Sequence, residues 1–102
     1  MIFLDKNEFG YTFKIQAESH ESLLESKLFS TKEEANQLIE GLKNTSVTHF
    51  TFERKTNNNG EFLFNMKDAT GNLIGTSQSY NSEAGMQNGI KNLKTILVTL
   101  KA

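Results

Sequence analysis

Apolar and polar residues alternate singly in two stretches of this chain and recur every three or four positions in two others. Tyr11, Phe13, Ile15 and Ala17 alternate with Thr12, Lys14, Gln16 and Glu18, and Phe62, Phe64 and Met66 alternate with Leu63, Asn65 and Lys67. Successive side chains of a strand point to opposite faces, so each stretch predicts a strand buried on one side. Shorter alternations precede both: Ile2 and Leu4 in one case, Phe50 and Phe52 in the other, the latter with Thr51 and Glu53 turned the opposite way. Leu23 to Phe29 and Leu73 to Tyr80 also predict strands, with an alternation too weak to say which side is buried. Then the period changes. Ala35, Leu38, Ile39 and Leu42 form the stripe of a helix behind a capping box of Ser30 and Thr31 with Glu33 and Glu34. Met86, Ile90, Leu93 and Leu97 form the stripe of a second helix that Ser82 starts. The apolar, β-branched tail from Ile96 to Leu100 fits either a helix or an extended segment.

Turn chemistry separates these elements. Asn59-Gly60 supplies residues that tolerate positive φ and predicts a hairpin. The corresponding loop between Asp5 and Phe9 is shorter and lacks that signal. Gly71 marks a further turn within Asp68 to Asn72, and His20 stands at the matching place in the first half.

The match extends along the chain. Gly10 to Lys43 overlays Glu61 to Lys94 without a gap, 51 residues apart, with Phe13 on Phe64, Ser26 on Ser77, Ile39 on Ile90, Leu42 on Leu93 and Lys43 on Lys94. A self-match of that length predicts one structural unit used twice. The expected fold is α+β, one domain of two tandem β-β-β-α repeats, residues 1–46 and 47–102. They should form a single antiparallel-type sheet with two helices on one face and pseudo-twofold symmetry. Six strands span roughly 29 Å and two helices roughly 20 Å, so one sheet face stays open. Thr12, Lys14, Gln16, Thr51, Glu53, Asn65 and Lys67 supply polar residues for it.

Asn59-Gly60-Glu61-Phe62, Gly71-Asn72-Leu73-Ile74, Ser77, Tyr80 and Asn88-Gly89-Ile90 together resemble the YegP-like family, small and mostly bacterial proteins of unknown function. In the first half His20 replaces the turn glycine and Gln37-Leu38 replaces Asn88-Gly89, so that half resembles a diverged copy. The resemblance implies two β-β-β-α units sharing a sheet, with the helices exchanged across it. It brings no catalytic residues.

Composition narrows the function classes. At 102 residues the chain suffices for one core without staples, and with no cysteine it has neither disulfides nor thiolate metal sites. Only Ile2, Phe3 and Leu4 precede Asp5, short of a signal-peptide core, and no stretch approaches a membrane span. A cytoplasmic location without membrane contact is expected. A net charge of −1 argues against nucleic acid as the main partner. The halves differ, however: eight acids against five bases up to Ser46, four acids against six bases after it. Drift between repeats accounts for this better than a dipolar molecule that orients on a partner.

Candidate chemistry is sparse. His49, in the polar phase with Thr51 and Glu53, allows a His–Glu pair on the open face, although a solvated strand histidine is the preferred explanation. His20, between Glu18 and Glu21, lacks a third placed metal ligand. No serine lies in a nucleophile elbow, and no glycine-rich phosphate loop occurs. Eight phenylalanines and two tyrosines suggest a base-stacking platform, yet most lie in the apolar phase and read as core. Gly89 costs its helix about 1 kcal/mol relative to alanine, which predicts a close approach there. The expected function is a non-catalytic binding or interaction module using the open face, with Lys14, Gln16, His49, Asn65 and Lys67 as candidate contacts. No metal and no cofactor is expected, and the chain should be a monomer that forms its own pseudo-dimer. The alternatives are an RNA platform built on Lys14 and Lys67, which exposed aromatics on that face would support, and an enzyme using His49, which a pocket with a second titratable group would support.

Overall fold

In the computed structural model, which describes residues 2–100, nine elements follow in order. Strands β1 (Ile2–Asn7), β2 (Gly10–Gln16) and β3 (Ser22–Ser26) precede helix α1 (Lys32–Asn44) and a 3₁₀ turn (Val47–His49). Strands β4 (Thr51–Thr56), β5 (Phe62–Lys67) and β6 (Leu73–Thr76) precede helix α2 (Glu83–Thr99). The strands form one antiparallel sheet in the order β1-β2-β3-β6-β5-β4. Two three-stranded meanders therefore meet at β3 and β6, where Glu25 faces Thr76 and Ser26 faces Gly75. The edges of the sheet are β1 and β4.

Local chemistry sets the elements. Asn7 closes the first hairpin by accepting the N–H groups of Phe9 and Gly10 at 2.8 and 3.0 Å, so β1 runs to Asn7 and the turn is Glu8-Phe9 alone. Asn57 does the same in the longer second hairpin, accepting from Asn59 and Glu61 at 2.9 and 3.0 Å. Both helices start as their caps require: Thr31 Oγ1 accepts from Glu34 N–H, and Ser82 Oγ from Gly85 N–H.

Strands β3 and β6 are shorter than their apolar runs suggest, and two serines explain why. Ser26 Oγ accepts the Phe13 N–H at 2.8 Å and donates to Lys27 O; Ser77 Oγ accepts the Phe64 N–H at 2.9 Å and donates to Gln78 O. A hydroxyl takes the place of a ladder carbonyl, and pairing resumes only at Tyr11 with Phe29 and at Phe62 with Tyr80. The tail is helical through Thr99, because Leu97 extends the stripe of Met86, Ile90 and Leu93 and all four are buried. Lys101 and Ala102 lie outside the described residues.

One apolar cluster fills the space between sheet and helices. Phe13, Ile15, Leu24, Phe64 and Met66 come from the sheet, and Ala35, Leu42, Met86, Ile90, Leu93 and Leu97 from the helices. Leu38 and Ile39 are half-buried at its margin. The close approach expected at Gly89 is real. Tyr80 lies against it, and a Cβ there would overlap the phenol oxygen and come within 2.7 Å of Cζ. No helix among the described residues is long and apolar enough to cross a membrane.

Candidate functional site

The open face is the side of the sheet turned away from the cluster. In register across it run Phe3, Lys14, Glu25, Thr76, Asn65 and Glu53. Lys14, Gln16, Asn65 and Lys67 lie here in the expected phase, all half-buried by their neighbours. Much of this face is satisfied internally. Lys67 Nζ donates to Glu53 Oε2 at 3.2 Å, and Thr76 donates to Asn65 Oδ1 at 2.8 Å. Lys55 Nζ approaches Glu53 Oε1 to 3.3 Å as an ion pair, without the alignment of a hydrogen bond. The Lys67 bond, then Lys55, hold the Glu53 carboxyl below its ordinary range. A stacking platform needs several exposed aromatics here. Among the described residues this face exposes Phe3, at 45%; Phe13, Phe29 and Phe64 belong to the core.

His49 is not on this face. Ser46 accepts from Thr48 N–H and starts the 3₁₀ turn, so the strand begins only at Thr51 and His49 belongs to the turn before it. There it lines a crevice of about 480 Å³ with Leu38, Leu42, Phe50, Ile74 and Asp68, between the end of α1 and the β5–β6 turn. A second titratable group is therefore present, but it is engaged. Asp68 Oδ1 accepts from the Thr70 hydroxyl at 2.7 Å and from the N–H groups of Thr70 and Asn72 at 2.9 and 3.0 Å. Those bonds, the Thr70 hydroxyl first, hold its carboxyl below the ordinary range. His20 occupies the β2–β3 turn with φ 69°. Among the described residues no three acidic or histidine side chains gather as a metal site.

The sequence reading missed the most distinctive surface. Arg54 from β4 and Lys91 and Lys94 from α2 line one groove of about 490 Å³, with Gln87, Ile90, Thr95, Val98 and Thr99. Among the described residues no carboxylate lines it. Arg54 is on the helix side of β4, because Thr51, Glu53 and Lys55 take the other phase. Its Nη2 donates to Gln87 Oε1 at 3.0 Å, which aims the guanidinium across to the helix. Lys94 Nζ sits 5.2 Å from the Phe52 ring centroid. None of the three cations forms an ion pair among the described residues. Glu83 is a wall of the adjoining hollow, on the far side of Arg54. Beside the opposite edge strand, Leu4 stands where Arg54 does, and Glu40 pairs with Lys43 at 3.5 Å where the helix here presents Lys91 and Lys94. The signal in the sequence was the basic balance after Ser46.

Tyr80 is the other electrostatic outlier. Burial pushes its phenol up; the Gln78 amide opposes this, and the Glu21 charge adds to it. The phenol oxygen is covered and lacks a hydrogen-bond partner, while the Gln78 amide beside it donates to Glu21.

Comparison with known proteins gives one consistent result. Residues 57–96 match the model of a domain of unknown function (DUF1508). The UPF0339 protein YegP of Escherichia coli is 33% identical over 84 residues, covering 82% of this chain and 76% of that protein. A UPF0339 protein of Pseudomonas aeruginosa is 34% identical over the same shares. The solution structure of the Escherichia coli protein, described as of unknown function, superposes with a TM-score of 0.76 at 32% identity, covering 89% of this chain and 79% of that one. That of a UPF0339 protein from Shewanella oneidensis gives 0.79 at 30% identity, over 99% and 84%.

Proposed function

The chain belongs to the UPF0339 (YegP-like) family, a family of unknown function, and from that premise we propose that it is a non-catalytic binding module that holds anionic groups in the groove between β4 and α2. One observation carries this reading: three cations line a single groove to which no carboxylate among the described residues belongs, in a chain whose net charge is −1. Cations gathered without counterions repel one another and are relieved by a bound anion. The open face is the weaker candidate, because Lys55 and Lys67 are both ion-paired with Glu53 there, whereas the groove cations have no such partner among the described residues. Catalysis through His49 is weaker still, since the carboxylate in its crevice is spent on holding its own turn.

The same reading takes the chain as two β-β-β-α units, residues 1–46 and 47–102, related by a pseudo-twofold axis. Its support is the register at the centre of the sheet: Glu25 faces Thr76, the residue 51 positions later that overlays it. Bulges after Ile15 and Met66, and the paired roles of Ser26 and Ser77, agree. The groove belongs to the second unit only. On this reading each unit completes the other and the chain is a monomer in sedimentation.

A titration of the ¹⁵N-labelled protein with citrate tests the function. Chemical-shift changes should concentrate at Arg54, Gln87, Lys91 and Lys94, and Lys91→Ala with Arg54→Gln should weaken binding about tenfold. Shifts spread over all lysines, or none at all, would remove the reading.

A further inference from the structure

The groove is walled on one side by an unpaired sheet edge, and the backbone polarity of that edge follows from the hydrogen bonds of β5. Phe62 exchanges both of its backbone hydrogen bonds with Tyr80, at 2.8 and 2.7 Å, and Phe64 turns its N–H to Ser77 Oγ and its C=O to Ser77 N–H, at 2.9 Å each. Both residues therefore point away from β4. Leu63, Asn65 and Lys67 must point toward it, opposite Lys55, Glu53 and Thr51. Alternation then turns the N–H and C=O groups of Phe52, Arg54 and Thr56 outward. Among the described residues these groups find no partner outside the sheet. The side chains of the same three residues lie on the helix side, where Arg54 lines the groove.

We infer that the occupant is an extended acidic segment of another protein, which adds to the sheet as a strand antiparallel to β4 and directs alternate carboxylates into the groove. This rests on the anion-binding reading and specifies its ligand. Residues of an added strand that pair with Phe52, Arg54 and Thr56 place their side chains on the same face as those residues, toward Lys91 and Lys94. The intervening side chains project to the open-face side, where Glu53 is already paired. The recognised pattern is thus acid, any residue, acid. A second copy of this chain is a poor occupant, because edge-to-edge pairing would bring Arg54 and Lys55 of both chains together. A nucleic acid strand would use the cations and could accept from the outward N–H groups, but its phosphates have no donors for the outward C=O groups of β4.

The test uses the full chain and a labelled, capped hexapeptide alternating glutamate and threonine, followed by fluorescence anisotropy. Replacing the glutamates with glutamine should weaken binding at least tenfold, and so should added salt. Methylating the backbone nitrogens of the glutamates should weaken it to the same degree, because those N–H groups face β4. Methylating the threonine nitrogens, which face solvent, should change it less than threefold. Lys91→Ala should reduce affinity while leaving the urea midpoint unchanged, which separates recognition from folding. Equal binding of the glutamate-methylated peptide would overturn strand addition and leave anion binding standing. Tighter binding of a thymidine hexanucleotide than of the peptide would overturn the choice of partner. Failure of both citrate and the peptide to bind would overturn the function and this inference together.

Discussion

Replacing His20 with glycine should stabilise the protein, and replacing Gly71 with alanine should destabilise it by a similar amount. The two residues hold the same place in two turns built alike. His20 N–H donates to Ala17 O at 2.9 Å, and Gly71 N–H donates to Asp68 O at 3.0 Å. Both have left-handed backbones, with φ 69° and 88°. For a residue with a Cβ that conformation costs about 1–2 kcal/mol. Glycine avoids it but gives the unfolded chain more freedom, worth about 0.4–1 kcal/mol. The net effect of His20→Gly is therefore a gain of roughly 0.5–1 kcal/mol. Nothing offsets it, because His20 is exposed and its side chain makes no hydrogen bond among the described residues. A Cβ on Gly71 would meet nothing within 4 Å, so Gly71→Ala reports the backbone term alone, with opposite sign. For a domain of this size the shift is roughly 3–6 °C in Tm. Urea unfolding measures it directly, with an unchanged slope showing that the unfolded state is not compacted differently. A lower midpoint for His20→Gly, or no change for Gly71→Ala, would refute the assignment of strain to these turns.

Four further outcomes follow from individual side chains. Ser26→Ala and Ser77→Ala should each cost about 1–3 kcal/mol, because each strips the acceptor from a covered N–H, that of Phe13 or Phe64; urea midpoints check both. Gly89→Ala should lower stability by about 1–3 kcal/mol despite its better helix propensity, since the new methyl overlaps Tyr80. Tyr80→Phe should raise stability by about 1 kcal/mol by deleting a covered hydroxyl without a partner, and a loss would mean that the phenol has one. The depressed Asp68 carboxyl contributes stability that is present above its ordinary value of 3.8 and disappears as pH falls through the lower folded value. Asp68→Asn keeps an oxygen acceptor for the turn, so its thermal midpoint should fall less steeply below about pH 4 than that of the parent, leaving the slope due to Glu53.

What the sequence determined by itself is everything that repeats along the chain. A period of two in Tyr11 to Gln16 and in Phe62 to Lys67 fixes which face each strand buries, because the pleat allows no other choice. The stripes of α1 and α2, their Thr31 and Ser82 caps, and the turn glycines at 60 and 71 are equally local. Local chemistry also decided against some runs that looked extended. The Ser46 hydroxyl moved His49 out of the strand, and the Ser26 and Ser77 hydroxyls ended β3 and β6 early. The identity of those two serines was visible in the overlay, but an identity names no bond. Only the tertiary structure decided that β3 meets β6, that Tyr80 presses on Gly89, and that Arg54 faces Lys91 and Lys94. Arg54 is 37 positions before Lys91 in the chain, and nothing periodic links them. They meet because packing the α2 stripe against the cluster leaves its other flank beside the edge strand. A core is specified by a pattern that each segment carries alone, whereas a groove between two elements exists only once both have docked.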